Sequence, residues 1–197
     1  MTHRIADHPI EPLFLERRSP RAFDGSELPE SHLFSLIEAA RWAPSAYNYQ
    51  PWRFLYSRRG DANWQNFLDL LVPFNAKWAQ SASALIFVLS DTLLQRDAQS
   101  KASPLRTHSL DTGAAWAQLA LQAVRLGLHA RGMAGVDFER AREVLQVPER
   151  FHIEMAIAVG REAAPEALPE HLHKKAEENL RKPLADIAFS GRFPDAG

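Results

Sequence analysis

The sequence predicts an α+β domain, helices layered on a central sheet, and three observations carry that prediction. Short apolar runs suited to strands lie among helical segments without a regular alternation of strand and crossover, which argues against a doubly wound sheet. One helical segment, Asp111 to Leu126, is apolar nearly all round, a pattern that belongs to a buried helix and not to a surface one. The 197 residues, 46% hydrophobic and 24% charged, fit one globular domain over 1–197, burying roughly 70% of the surface its unfolded chain exposes. No internal repeat or second domain is visible.

Taken in order, Glu11 to Arg17 and Pro29 to Trp42 have apolar residues at helical spacing. In the second, Leu33, Leu36, Ile37 and Ala40 form one stripe, with Glu30 or Ser31 near its start and Pro44 beyond its end. Trp52 to Ser57, Ala84 to Leu89 and Ile153 to Val159 are the predicted strands; the last alternates so little that burial on both faces is expected. In the long helix, Ala114, Ala115 and Ala120 permit close approach of another helix. A helix with no polar face either crosses the core or forms a subunit interface. Gly127 to Gly132 is read as the break after it. Asp137 caps a further helix from Phe138 to Leu145, stopped near Pro148. Beyond Gly160 the sequence turns Glu, Pro and Lys rich, which predicts an extended, solvated arm over about 161–197.

Composition narrows the function classes. A net charge of -1 provides no global field for nucleic acid or an anionic membrane, so any phosphate must be held by a local cationic cluster. The absence of cysteine excludes disulfides, thiolate nucleophiles, iron–sulfur clusters and cysteine zinc sites. The first residues are polar, and the longest apolar run, Ser83 to Leu89, is far short of the roughly 20 residues that span a bilayer. A soluble, cytoplasmic protein with a small-molecule partner is expected. His108, His129, His152, His171 and His173 show no metal-site spacing, so no metal is expected. Ser109 and Asp111 form no recognisable nucleophilic set with them. No G-x-G-x-x-G follows a strand, so no separate dinucleotide domain is expected.

Chemistry concentrates in five places. Arg17-Arg18-Ser19-Pro20-Arg21 puts three guanidinium groups and a hydroxyl within five residues, a grip suited to a phosphate dianion. Pro44-Ser45-Ala46-Tyr47-Asn48-Tyr49-Gln50-Pro51-Trp52 links a helix to a strand, and Asn75-Ala76-Lys77-Trp78 carries an amide that can both donate and accept. Gly132-Met133-Ala134-Gly135-Val136-Asp137 is a two-glycine loop, and Arg181-Lys182-Pro183-Leu184 is a basic pair near the end of the chain.

Together these segments resemble the signatures of the nitroreductase-like FMN-dependent oxidoreductases, over most of the chain from the arginine cluster to Arg181. The resemblance implies a central, mostly antiparallel sheet surrounded by helices, a homodimer with two FMN sites, and a C-terminal arm extended over the partner. By position, Arg17, Arg18 and Ser19 would hold the phosphate and ribityl region and Arg21 the pyrimidine edge. Pro44, Ser45, Ala46 and Asn48 would pack on the flavin of the neighbouring subunit, although a serine is common where Ala46 stands. Asn75 would bond the uracil-like edge, with Lys77 offset by one position from a family lysine. Ala134 and Gly135 would present backbone N–H groups to the redox-active edge, and Arg181 and Lys182 would close on the phosphate. The implied reaction is ping-pong hydride transfer from NAD(P)H through FMN to nitroaromatic or quinone-like acceptors, with no side chain assigned as a catalytic group. Two alternatives stay open: a specialised dehalogenating, flavin-cleaving or azoline-oxidising relative, and a flavin-binding or storage protein without turnover.

Overall fold

The computed structural model describes residues 4–95, 99–173 and 181–194. The expected arm over about 161–197 therefore lies partly outside the described residues, at 174–180 and 195–197. Along the chain run α1 (Pro12–Glu16), α2 (Glu30–Arg41), β1 (Trp52–Arg58), α3 (Trp64–Leu68), α4 (Pro73–Ala79) and β2 (Ala84–Asp91). A small hairpin of β3 (Leu93–Leu94) and β4 (Ser103–Pro104) leads to α5 (His108–Arg125), β5 (His129–Met133), α6 (Phe138–Val144) and β6 (Phe151–Gly160). Single 3-10 turns follow at Pro165–Ala167, Glu170–Leu172 and Leu184–Asp186.

The main sheet has the order β1-β2-β6-β5, and every neighbouring pair is antiparallel. Strand β2 is buried along its whole length, because its side chains feed two cores in alternation. Ala84, Ile86 and Val88 meet Leu33, Leu36 and Ala40 of α2 and Ala115, Leu119 and Ala123 of α5. Leu85, Phe87 and Leu89 meet Phe67 of α3, Trp78 of α4 and Ala141 of α6. The expected two-faced burial of β6 holds on the same terms, with Ile157 and Val159 in the first core and Ala156 and Ala158 in the second.

Three features depart from the sequence reading. Helix α5 lies on the sheet with Ala115, Leu119, Ala120 and Ala123 buried, and its other side carries exposed Leu110, Gly113 and Ala117. It does not cross the core. The stretch read as a break after it is mostly strand: Gly127, at φ 68°, ends the helix in the left-handed region that suits glycine, and His129 to Met133 then pair with β6 as an edge strand. Helices α3 and α4 had no counterpart in the sequence reading, and Asn75 lies within α4. One irregularity matters below. Val88 pairs with Met155 and Leu89 with Ile153, so Glu154 is an extra residue bulging from β6.

Candidate active site

A cavity of about 610 Å³ lies between α1, α5 and the β5–β6 edge of the sheet, lined by Phe14, Arg17, Ser19, Trp116, Gly132 and Met133 among others. Its volume is in the range of small-molecule and cofactor sites. Its construction follows from the edge position of β5. Among the described residues the strand pairs only with β6, so the ground beside it is left to α5, whose Trp116, Ala117, Ala120 and Leu121 supply an apolar wall. Gly132 is needed in that floor: a Cβ there would lie 2.9 Å from Met155 Sδ and 3.3 Å from Trp116 Cζ2.

One end of the cavity is cationic. Arg17 Nη1 donates to Ser19 Oγ at 3.2 Å, and Arg131 Nη1 donates to the Ser19 carbonyl at 2.6 Å, tying the arginine segment to β5. Burial, and then the positive charge of Arg181, lower the pKa of the Arg17 guanidinium from its ordinary value. Arg4 feels the same repulsion from Arg17, Arg181 and Arg18, after burial. Such a concentration of like charge is costly in the free protein and becomes favourable when an anion sits in it.

Below this end lies His129. Its Nε2 is 3.4 Å from Glu162 Oε2, which also takes the Arg18 guanidinium, and its buried Nδ1 has no hydrogen-bond partner among the described residues. Burial pushes its pKa down; Glu162 opposes that shift, and Arg18, Arg17 and Arg4 add to it.

A second cluster flanks the cavity where α4 meets the loop after β5. Asn75 Nδ2 donates to the Gly135 carbonyl at 3.1 Å, Val72 N donates to the same carbonyl at 3.1 Å, and Leu71 and Val136 form an isolated bridge. Arg21 lies over the Phe74 ring at 5.2 Å and donates to the carbonyls of Leu172 and His173. Gly135 has a different reason for being glycine than a close approach to a ligand. A Cβ there would come 2.3 Å from Asn75 Nδ2 and 2.8 Å from Val72 Cγ2, so its smallness admits α4.

The structure thus brings Arg17, Ser19 and Ala134 onto one cavity and joins Asn75 to Gly135 at its flank. Arg181 is close enough to Arg17 to shift it. Arg18 is turned to Glu162, and Lys77 and Lys182 are exposed. Pro44, Ser45, Ala46 and Asn48 are elsewhere, on a loop against the first turn of α5 where Ala46 N donates to Asp111 Oδ2 at 3.2 Å. Sequence reading missed Trp116, Met155, Gly132 and Glu154 as cavity residues. The first two carry only a core signal, and Gly132 was assigned to a turn.

A family model described as the nitroreductase family matches residues 15–71 and 57–161. The chain belongs to the nitroreductase family. Among solved structures it is similar to an oxidoreductase containing FMN, 45% identical over 100% of both chains with a TM-score of 0.92. It is 30% identical to an NADH dehydrogenase of Thermus thermophilus, over 80% of this chain and 88% of that protein. It is 27% identical to a CLA biosynthesis enone reductase of Lactiplantibacillus plantarum, over 81% of this chain and 88% of the relative. The fold of the chain is α+β, with helices on an antiparallel sheet.

Proposed function

We propose that the protein is an FMN-dependent NAD(P)H oxidoreductase whose cofactor lies in the cavity between α5 and β5. The observation that carries this reading is the polarity of that cavity: Arg17, Ser19 and the nearby Arg181 at one end, and an apolar body of Trp116, Leu121, Met133 and Met155 on a glycine floor. That shape and charge fit a planar ring system with a phosphate tail. FMN, when bound, supplies the two-electron chemistry, passing a hydride from NADH or NADPH to a nitroaromatic or quinone-like acceptor in a ping-pong sequence.

The chain's own groups bind and orient. Arg17 and Ser19 hold the phosphate, and Arg181 and Lys182 close over it with Arg18 fixed behind by Glu162. Trp116 and Met155 pack on the ring system and exclude water. Asn75 and Arg21 face its polar edge, and the N–H groups of Ala134 and Gly135 stabilise charge developing at the reacting edge. Pro44, Ser45, Ala46 and Asn48 complete the site from a second copy of the chain, whose apolar contact is the exposed side of α5 with Leu110, Gly113 and Ala117. The enone reductase relative favours conjugated carbonyls among the acceptors.

The test is direct. Purified protein should be yellow, release FMN on denaturation, and consume NADH or NADPH with menadione or a nitroaromatic. Colourless protein that gains no flavin on reconstitution overturns the reading; bound flavin that neither nicotinamide reduces moves it to a storage role.

A further inference from the structure

Glu154 and Met155 are consecutive, yet both line the cavity. Strict alternation in a strand would send them to opposite faces, and it is the bulge at Glu154 that turns both toward α5. The bulge delivers the Glu154 carboxylate into a polar cluster drawn from three elements. Ser90 Oγ of β2, fully buried, donates to Glu154 Oε1 at 2.6 Å and lies 2.7 Å from His108 Nδ1. Ser109 Oγ of α5 donates to the same oxygen at 2.7 Å and lies 3.2 Å from the same nitrogen. His152 Nε2 stands 3.9 Å from Glu154 Oε2. Since both hydroxyls give their hydrogens to the carboxylate, the tautomer with hydrogen on His108 Nδ1 completes the network.

The position of this cluster along the cavity is set by the strand register. Arg131, bonded to the Ser19 carbonyl, pairs with Ala158, whereas Met133 at the other end of β5 pairs with Ala156. Glu154 lies two residues further in that same direction. A ligand anchored by its anion at Arg17 and Ser19 therefore extends toward Glu154.

We propose that Glu154 is the acid that protonates the acceptor, recharged from His108 through the Ser90 hydroxyl. This rests on the reading of the cavity as an FMN site. With a quinone as acceptor, a hydride from the cofactor, itself reduced by NAD(P)H, forms an O–H bond at one oxygen and the π electrons shift to leave a phenolate at the other. That oxygen takes the proton as the Glu154 O–H bond breaks. The Ser90 hydroxyl proton then moves to the carboxylate while Ser90 Oγ accepts the proton of His108 Nδ1 and His108 Nε2 takes one from solvent, which leaves the ring neutral as its other tautomer.

Quinone, hydride and one proton make hydroquinone, and exchange of the ring protons with solvent returns His108 to the tautomer bonded to the serines. A hydrolytic triad has a different geometry, with hydroxyl and carboxylate on opposite ring nitrogens; here both serine hydroxyls face Nδ1 and donate to Glu154 Oε1, which leaves Oε2 to hold the acidic proton, so no nucleophile is activated. The charges around the cluster are already committed: Asp91, next along β2, is paired with Arg150, and His152 shares a shallow pocket with Glu139, Arg142 and Glu143 of α6.

The experiment uses FMN-loaded Glu154→Gln in stopped flow, with NADH for the reductive half-reaction and menadione for the oxidative one. The expected result is full flavin content and wild-type reduction by NADH, which takes no proton from the protein, with reoxidation by menadione slowed about a hundredfold. That rate should also lose its pH dependence, whereas Glu154→Asp, which keeps the acid, should retain it. A reduced-minus-oxidised infrared spectrum should show a protonated-carboxyl band in the wild type and none in Glu154→Gln, a signal that a purely structural role would not produce. Reoxidation at the wild-type rate and pH profile overturns this proposal alone, as does a carboxyl band that survives in Glu154→Gln. Wild-type protein that binds no FMN overturns the cofactor reading and this proposal with it.

Discussion

Arg17 and Ser19 sit on the wall of a cavity, bonded to each other and fixed to β5 by Arg131. Pro44, Ser45, Ala46 and Asn48 lie on a loop outside that wall, with Pro44 and Asn48 exposed. That loop also holds Tyr47, Asn48 and Gln50 at φ of 53°, 54° and 53°. Three side-chain-bearing residues in the left-handed region cost about 1–2 kcal/mol apiece, least for Asn. Such strain persists where the surroundings enforce it, and it gathers at binding sites. The arginine end has its cavity within the chain, whereas the proposed site takes the loop from a second copy.

The sharpest test of that difference mixes two defective proteins. Arg17→Ala alone should weaken FMN binding about ten- to a hundredfold, the value of a charge-assisted hydrogen bond to phosphate, and Asn48→Ala should weaken it less. If two copies share the site as proposed, equimolar reassembly should restore about a quarter of the sites to wild-type affinity, because about half of the dimers are then mixed and one of the two symmetric sites in each draws Arg17 and Asn48 from intact copies. Flavin fluorescence after refolding the mixture measures it; a mixture no better than its components places the loop and the arginines in the same copy or removes the loop from the site.

Next in size is Gly135→Val. Its Cβ would fall on Asn75 Nδ2 and Val72 Cγ2, so it should cost about 3 kcal/mol of stability through overpacking. Urea unfolding of the flavin-free protein checks this, and an unchanged midpoint would mean that Gly135 serves the ligand and not α4.

A smaller effect of opposite sign belongs to the strained loop. Gln50→Gly should stabilise the flavin-free protein by about 1 kcal/mol by relieving its positive φ, while loosening FMN by giving up a preset conformation. Parallel urea and flavin titrations should move in opposite directions, and a loss in both would assign Gln50 a packing role.

The smallest effect is a pH dependence at the arginine end. His129 is held neutral by burial and by Arg18, Arg17 and Arg4, its pKa lowered from 6.5. The unfolded chain therefore takes up the proton first, so the stability contribution is complete above pH 6.5 and is lost as pH falls from there toward the folded pKa. His129→Gln should flatten that part of the stability profile; an equal slope in the variant would place the responsible group elsewhere.

What the sequence made legible follows from how local each signal is. Helical spacing located α1, α2 and α5, short apolar runs located β1, β2 and β6, and the Asp137 cap with the Pro148 stop located α6. Strand β5 was hidden because five residues containing Gly132 and preceded by Gly127 read as a turn, and only pairing with β6 makes them a strand. Helix α4 carried a usable signal in Pro73, which sits at the first helical position. The chemistry of the arginine segment was readable because its residues are neighbours in sequence. The Glu154 cluster was not, because Ser90, His108 and Glu154 meet only through the register of β2 on β6 and one bulge.

The doubly buried β2 also has a consequence for the order in which the chain emerges during synthesis. Its partner β1 precedes it, but its other partner, β6, begins only at Phe151, long after Ala84. At typical translation rates that interval lasts about 3–13 s. Throughout it, the run Ala-Leu-Ile-Phe-Val-Leu has one open edge, a template for pairing with the same strand of a neighbouring nascent chain. Shielding in that window falls to α2 and β1, already made, and to chaperones, so slowing translation between Asp91 and Phe151 should lower soluble yield more than slowing it before Trp52.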